Sequence, residues 1–535
     1  MPLFSSLWQR RDCLLAAAAW MTWRVAGAAW LEGSTSDNQV ALRWSPAQAQ
    51  QAVGLLAQAN QHGLHPDDYL ASSLADRLPA ALAHPDAPMA HQFADDLGRA
   101  MRQFLHDLAF GRVDPRQVHQ QVSVAPRAGF DPGQALVAAL ANGRLADAVQ
   151  AAVPPLPIYG QYQAVLMAMQ ALAGDAAWAQ PLPALPKPAH ARLPRLDPGA
   201  TWSGTERMAL RLQRLGDLAA DGPVPARYEG ELVEAVRRFQ ARHGLGADGV
   251  VGASTRAALE VTPVARARQV ALAMERLRWT PLFLGPRMIV VNIPEFVLRA
   301  YEVVDGQIQV RLTMRVIVGE ALDHETPLFD ERMRSIEFSP YWNVPPSIAK
   351  AETVPRLRRD PAYWDRQGFE FVGGDGSVDT VLTPSKLDAV LAARLRIRQR
   401  PGPTNALGDI KFVFPNRDNI YLHHTPSPRL FARQRRDFSH GCIRVEAPVA
   451  LARFVLQDDP RWNHERIEEA MNAGVSRTIR LRETLPVLIA YSTVVVKHGQ
   501  VYFHDDLYGH DRLLDEALRA RSAALARAPT PWSGS

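Results

Sequence analysis

The sequence predicts an α+β protein of several domains, helical in its first half and strand-rich in its second. Three observations carry that prediction. Apolar residues recur at helical spacing through Ala47 to Ala59 and Phe93 to Phe110. Runs such as Met288-Ile289-Val290-Val291-Asn292-Ile293, bounded by Pro and Gly, have strand character. Prolines at 181, 183, 186, 188, 194 and 198 interrupt the chain between the two regimes. At 535 residues the chain has room for about three domains, and 47% apolar with 21% charged residues is ordinary globular usage.

Each segment has its own reason. Arg10-Arg11 precede the run Leu14 to Trp23 and the small residues Ala26-Gly27-Ala28-Ala29, so residues 1–30 suit a cleavable signal peptide. Asp12 and Arg24 shorten that run, which leaves an uncleaved anchor or a twin-arginine-like signal as alternatives. No later stretch reaches the roughly 18 apolar residues of a membrane span, and the body is expected to be soluble and periplasmic. Residues 38–178 read as a helical domain, with Gly63, Gly111 and Gly129 at helix ends. Residues 179–200 are a linker or an extended strap. Residues 201–262 form a compact unit whose middle helix places Val233, Val236 and Gln240 near one face, beside Ala235 and Phe239. Residues 263–510 are expected to be one strand-rich domain. Its strand signals include Val310 to Gly319 and Ile410-Lys411-Phe412-Val413-Phe414, with a charged, largely helical insertion at 347–400. Tyr491, Val494 to Val496 and Tyr502 to Asp506 read as strands closing the same domain, and 511–535 as a terminal helix or tail.

The chemistry concentrates in Phe438-Ser439-His440-Gly441-Cys442-Ile443-Arg444-Val445. Cys13 lies in the export segment, so Cys442 is the one cysteine expected in the mature protein. Exported proteins normally use cysteine in pairs, and a lone one points to a thiol needed for itself. Upstream, Ile420-Tyr421-Leu422-His423-His424-Thr425-Pro426 reads as a strand running into a turn. Side-chain alternation puts Tyr421 and His423 on one face, Leu422 and His424 on the other. A thiol with a pKa of about 8.5 is barely ionised at neutral pH, so a histidine within reach is expected to convert it to thiolate, itself becoming imidazolium. Gly441 and Cys442 add backbone N–H groups beside the nucleophile. Zinc held by His423, His424, His440 and Cys442 is disfavoured, because adjacent strand histidines diverge and close-set ligand spacing is missing. For His440, a loop histidine bonded to backbone competes with direct catalytic work.

This constellation resembles the L,D-transpeptidase, or YkuD-type, catalytic domain, in which a histidine is followed by Ser/Thr-His-Gly-Cys, an apolar residue and arginine. The resemblance implies a β-sandwich-like fold, Cys442 as nucleophile, His423 as base, and Arg444 ordering the loop or meeting a substrate carboxylate. It also implies a substrate-facing place for Ser439 and His440 and a helper role for Tyr421. Trp342 and Asn343 are candidates for the groove wall, with core packing the competing role for Trp342. Gly63-Leu64-His65-Pro66-Asp67-Asp68-Tyr69 and Phe104 to Gly111 resemble the helical scaffold of the large, YcbB-like enzymes of Gram-negative bacteria, in which an insertion like 347–400 acts as a substrate-capping lid. The unit at 201–262, with Leu212-Gln213-Arg214-Leu215, Asp248-Gly249-Val250-Val251-Gly252 and Thr255, resembles a three-helix peptidoglycan-binding module.

What the resemblance implies is a two-step acyl transfer between peptidoglycan stem peptides that forms 3-3 cross-links, with no metal or organic cofactor and carbapenems as acylating agents. The same thiol could instead serve an L,D-carboxypeptidase or a lipoprotein-attaching acyltransferase, and a non-catalytic wall-binding protein is the remaining alternative. Net charge is +5 with a pI near 9.3. The charge is spread out apart from Arg429, Arg433, Arg435 and Arg436, so nucleic acid is not an expected partner, whereas a carboxylate-bearing wall polymer is. Other cell-wall synthesis proteins are further candidate partners.

Overall fold

The computed structural model describes residues 31–32, 42–118, 129–280 and 285–527. The signal-peptide reading of residues 1–30 and the end of the tail, 528–535, fall outside the described residues. The chain divides into two compact units, Pro281–Tyr491 and, for nearly all of the rest, the segments on either side of it. No helix among the described residues is long and apolar enough to cross a membrane.

In the first unit, helix Pro46–Ala57 begins at a reciprocal cap between Ser45 and Gln48. The long helix Pro88–Phe110 buries Phe93, Leu97, Met101, Phe104 and Leu108, a helical stripe that anchors the core. The two scaffold phrases meet on helix Pro263–Trp279. Tyr69 donates to Asp107 (2.9 Å), Arg278 donates to the His62 carbonyl (2.5 Å), and Arg112 and Arg278 both pair with Glu275. That helix therefore belongs to the helical unit, not to the strand-rich domain in which the sequence reading put it. The C-terminal strands are corrected in the same way. Val494–Lys497 and Gln500–Phe503 form a hairpin whose Val494, Val501 and Phe503 enter the helical core, and Tyr162 donates to the Val494 carbonyl at 2.7 Å. Local β propensity made these strands legible, but their partner is set by contacts with residues hundreds of positions away.

Helices Thr205–Arg214, Glu231–Arg242 and Ala253–Glu260 make the small module, and Val233, Ala235, Val236 and Phe239 lie in its core. Gln240 is buried because it works as a clamp. Its amide donates to the Val250 carbonyl (2.9 Å) and Thr255 Oγ1 (3.2 Å), and its carbonyl accepts from Gly249 N–H (2.9 Å), fixing the Asp248-Gly249 turn. The proline-rich stretch is a strap: Leu182 and Leu196 are buried in this core, and Leu196 bridges Val251.

The second unit is built on one mixed sheet. Its strands are β1 (Arg287–Asn292), β2 (Val297–Val304), β3 (Gln307–Gly319), β4 (Phe329–Phe338), β9 (Ile410–Val413), β10 (Leu422–His423), β11 (Asp437–Ser439), β12 (Ile443–Val445) and β13 (Arg477–Ala490), where β5 to β8 are β5 (Trp342–Asn343), β6 (Phe369–Gly373), β7 (Val378–Asp379) and β8 (Leu395–Gln399) of the insertion. The order is β11-β3-β12-β10-β9-β4-β13-β1-β2, and β2 pairs again with β3. The long strand β3 gives residues 307–315 to β2 and 316–319 to β12 and β11. The sheet thus curls back on itself. The insertion carries the expected helices, Pro346–Ile348, Val354–Arg359, Tyr363–Gln367 and Pro384–Leu391, and adds strands to them. It is a four-stranded sheet, β5-β8-β6-β7, flanked by short helices, with its own core of Val344, Val354, Leu357, Trp364, Phe369, Phe371, Leu387 and Ile397. The sheet is the part the sequence reading did not include: Phe369-Glu370-Phe371-Val372 pairs as a strand.

Candidate active site

Strict alternation across β4, β9, β10 and β12 separates two faces. Ile336, Phe338, Ile410, Phe412, Leu422, Ile443 and Val445 are fully buried on one. On the other, register aligns Glu337 with Lys411, Lys411 with His423, and His423 with Arg444. Tyr421 and Cys442 sit one step earlier on their strands, joined by the Ile443 N–H donating to the Tyr421 carbonyl (3.0 Å). The structure therefore brings Tyr421, His423, Cys442 and Arg444 onto one face, and sends His424 to the other, where its Nδ1 meets Asp409 at 3.1 Å.

The loop carrying Cys442 is pinned by its neighbours. Gly441 has φ +106°, a conformation that strains any other residue, and a Cβ there would stand a tight 3.1 Å from Ile420 Cδ1. Ser439 is buried, its hydroxyl donating to the Cys442 carbonyl and accepting from Gly441 N–H (3.3 Å). It braces the loop, which is a different use from the substrate contact expected of it. Thr326 donates to the Gly441 carbonyl (2.7 Å) and accepts from Gly319 N–H (2.8 Å). A Cβ on Gly319 would overlap the His324 carbonyl at 1.9 Å. His440 is bound by a side chain rather than by backbone: its Nε2 meets the Glu352 carboxylate of the insertion at 2.6 Å, and its ring abuts His324.

The electrostatics differ from the expected ion pair. Burial pushes the Cys442 thiol up, with Tyr421, Lys411 and Arg444 pulling in the opposite direction. Burial, reinforced by Arg444, pushes His423 down to about 3; the backbone of His424 and of Leu407 pull upward, yet no hydrogen bond closes on Nδ1. Without substrate the site is a neutral thiol and a neutral imidazole. The thiol points its hydrogen bond at the Asn419 carbonyl (3.7 Å), and the His423 ring lies edge-on to Tyr421, centroids 5.7 Å apart. Burial also lowers the pKa of Arg444, which has no carboxylate partner among the described residues, and its Nε makes no hydrogen bond. Such a half-buried cation without a carboxylate suits an anionic ligand.

Trp342 and Asn343 stand apart from this face. They form β5, Trp342 packing on the insertion core and Asn343 exposed opposite Arg398. Three contributors escaped the sequence reading. Asn419 takes the left-handed conformation (φ +55°) that aims its carbonyl at the thiol, and Asn416 fixes that turn through Ile420. Lys411 was visible as the one charged residue in an apolar strand, and Glu352 had no local signal. Among the described residues no three His, Cys, Asp or Glu side chains gather to hold a metal.

Comparison with known proteins finds likenesses in three parts of the chain. Residues 286–470 match the L,D-transpeptidase catalytic domain family (YkuD), 36–166 a scaffold domain, and 205–259 a putative peptidoglycan binding domain. The chain thus carries an L,D-transpeptidase catalytic domain together with a peptidoglycan-binding module. It is 31% identical over 253 residues to a putative L,D-transpeptidase of Haemophilus influenzae, a match covering 47% of this chain and 49% of that protein. A second curated protein, epoxide hydrolase 1 of Sus scrofa, is 23% identical over 100 residues, 18% of this chain and 22% of that one. The chain spans at most about half the length of these curated relatives. A crystal structure of the L,D-transpeptidase of Xylanimonas cellulosilytica (residues 123–326) aligns over 57% of this chain and all of that one at 18% identity, with a TM-score of 0.18, too low to carry an argument.

Proposed function

We propose that this protein is an L,D-transpeptidase acting on peptidoglycan stem peptides in the periplasm, forming 3-3 cross-links through a Cys442 thioester. The observation that carries the reading is the single sheet face on which Tyr421, His423, Cys442 and Arg444 converge from the paired strands β10 and β12. In this reading a donor tetrapeptide lays its terminal carboxylate toward Arg444. The neutral His423 takes the thiol proton as Sγ attacks the carbonyl between the L-centre of the third-position diamino acid and D-Ala. The Cys442 N–H and the Tyr421 hydroxyl hold the oxyanion. Gly441 N–H, engaged by Ser439, is the weaker donor candidate. His423 then protonates the departing D-Ala amine, and the side-chain amine of a second stem resolves the thioester. The contact of Glu352 with His440 supports the insertion as a cover that keeps water from the thioester. A peptidoglycan-binding module on the same chain would raise the local concentration of the polymer substrate.

The test is incubation with a disaccharide-tetrapeptide carrying meso-diaminopimelate, read by mass spectrometry. A cross-linked dimer with loss of one D-Ala is expected. Tripeptide without dimer would move the reading to a carboxypeptidase, and absence of turnover and of a carbapenem adduct on Cys442 would overturn it.

A further inference from the structure

Cys442 is a raised thiol beside a neutral histidine, so something other than a standing ion pair must favour the thiolate as it forms. Its charged and titratable surroundings can be named element by element. Arg444 and His440 lie on its own segment, Tyr421 and His423 on β10, Lys411 on β9 and Glu337 on β4. The segment before β4 brings backbone of His324 and Glu325 against Gly441, and the insertion brings Glu352 onto His440. Within this set Lys411 has a distinctive geometry. Its Nζ stands 4.1 Å from the centroid of the Tyr421 ring, which shares the sheet face with Cys442 and whose hydroxyl pKa is raised by burial and by the thiol, and its carboxylate partner Glu337 is at a loose 3.8 Å.

We infer that Lys411 is a positioning residue for the acyl-transfer thiol: by clamping the face of Tyr421 it sets that hydroxyl toward Sγ and supplies, from the strand opposite Arg444, a second positive field for the developing thiolate. Glu337 moderates that field. The cation–π contact restrains the ring, and a full charge one side chain away acts through a half-buried site where water screens it incompletely. The direction of the Lys411 effect on the thiol agrees with this geometry. The inference deepens the transpeptidase reading of the same thiol, but it concerns only how the thiol is ionised.

Its test therefore does not need a substrate. Alkylation of the full chain by iodoacetamide is followed against pH, with the Cys442 peptide quantified by mass spectrometry so that Cys13 does not contribute. Lys411→Met should move the profile toward higher pH and slow alkylation at pH 7 by about 3- to 10-fold, equivalent to half to one pH unit. Lys411→Arg should restore most of the rate, and Glu337→Gln should move the profile the other way. Superimposable profiles for all four proteins would overturn the inference, as would a loss in Lys411→Met that Lys411→Arg fails to rescue. A shifted profile in a protein that forms no cross-linked dimer would sustain this inference while sinking the transpeptidase reading. Dimer formation with an unshifted profile would do the reverse.

Discussion

The two units each gather a cluster of ionisable groups, and the clusters are built to different plans. In the helical unit Glu275 is fully buried between Arg112 and Arg278, and Arg278 also donates to the His62 carbonyl and to the Tyr159 hydroxyl (3.2 Å). Burial alone would push the Glu275 carboxyl up, but the two arginines together hold it below the usual range. In the strand-rich unit, Arg444 has no carboxylate partner among the described residues, and burial lowers its pKa. A cluster whose cations share a carboxylate holds helices together. One that leaves a cation without a carboxylate forgoes stability for an anionic ligand that can complete it.

Substitutions can break or sharpen that contrast. The largest effect is expected at the proposed nucleophile and base: Cys442→Ala and His423→Ala should abolish acyl-enzyme formation, read by intact mass after carbapenem or tetrapeptide, without loss of the cooperative melt. Normal thioester accumulation in either variant would refute their roles. Glu275→Gln should destabilise the helical unit by about 3–5 kcal/mol, since it removes the carboxylate that two buried arginines share, and would be read as an early denaturation transition. A change under about 1 kcal/mol would show that the cluster does not rest on that carboxylate. Arg444→Met should behave inversely, slowing acylation about 10- to 100-fold while leaving thermal stability equal or higher; a strongly destabilised variant would mean that Arg444 is structural.

Acid gives a subtler separation. Glu275 has a folded pKa below its unfolded value, so its contribution is present above the unfolded pKa, near 4.5, and is lost as pH falls through the folded one. His423 also titrates lower when folded, at about 3 against 6.5, so the unfolded chain takes the proton first and stability declines from pH 6.5 toward 3. Urea denaturation from pH 7 to 4 should therefore show His423→Gln unchanged at neutral pH and more stable than the parent in acid. Parallel pH curves for parent and variant would contradict the buried, neutral state of the ring.

The candidate site was largely legible because it is local. Alternation in Tyr421-Leu422-His423-His424 is enough to send the two histidines to opposite faces, and Ser439-His440-Gly441-Cys442 marks the tight loop. Lys411 was half legible, an isolated charge in an apolar strand whose neighbours could not be known. Glu352 and Asn419 were not legible, since one acts across 88 residues and the other through its backbone. In the insertion the helices were legible, while its strands were not, because they are short and charged on one face.

The sequence by itself determined the periodicities, the turns and the identity of the reactive groups, all properties of a few consecutive residues. Only the tertiary structure decided which strands pair, that residues 263–279 and 494–503 join the helical core, and that Lys411 and Arg444 stand on either side of His423 in register. It also decided protonation, because the state of Cys442 and His423 is set by burial, and burial depends on what the rest of the chain places around them.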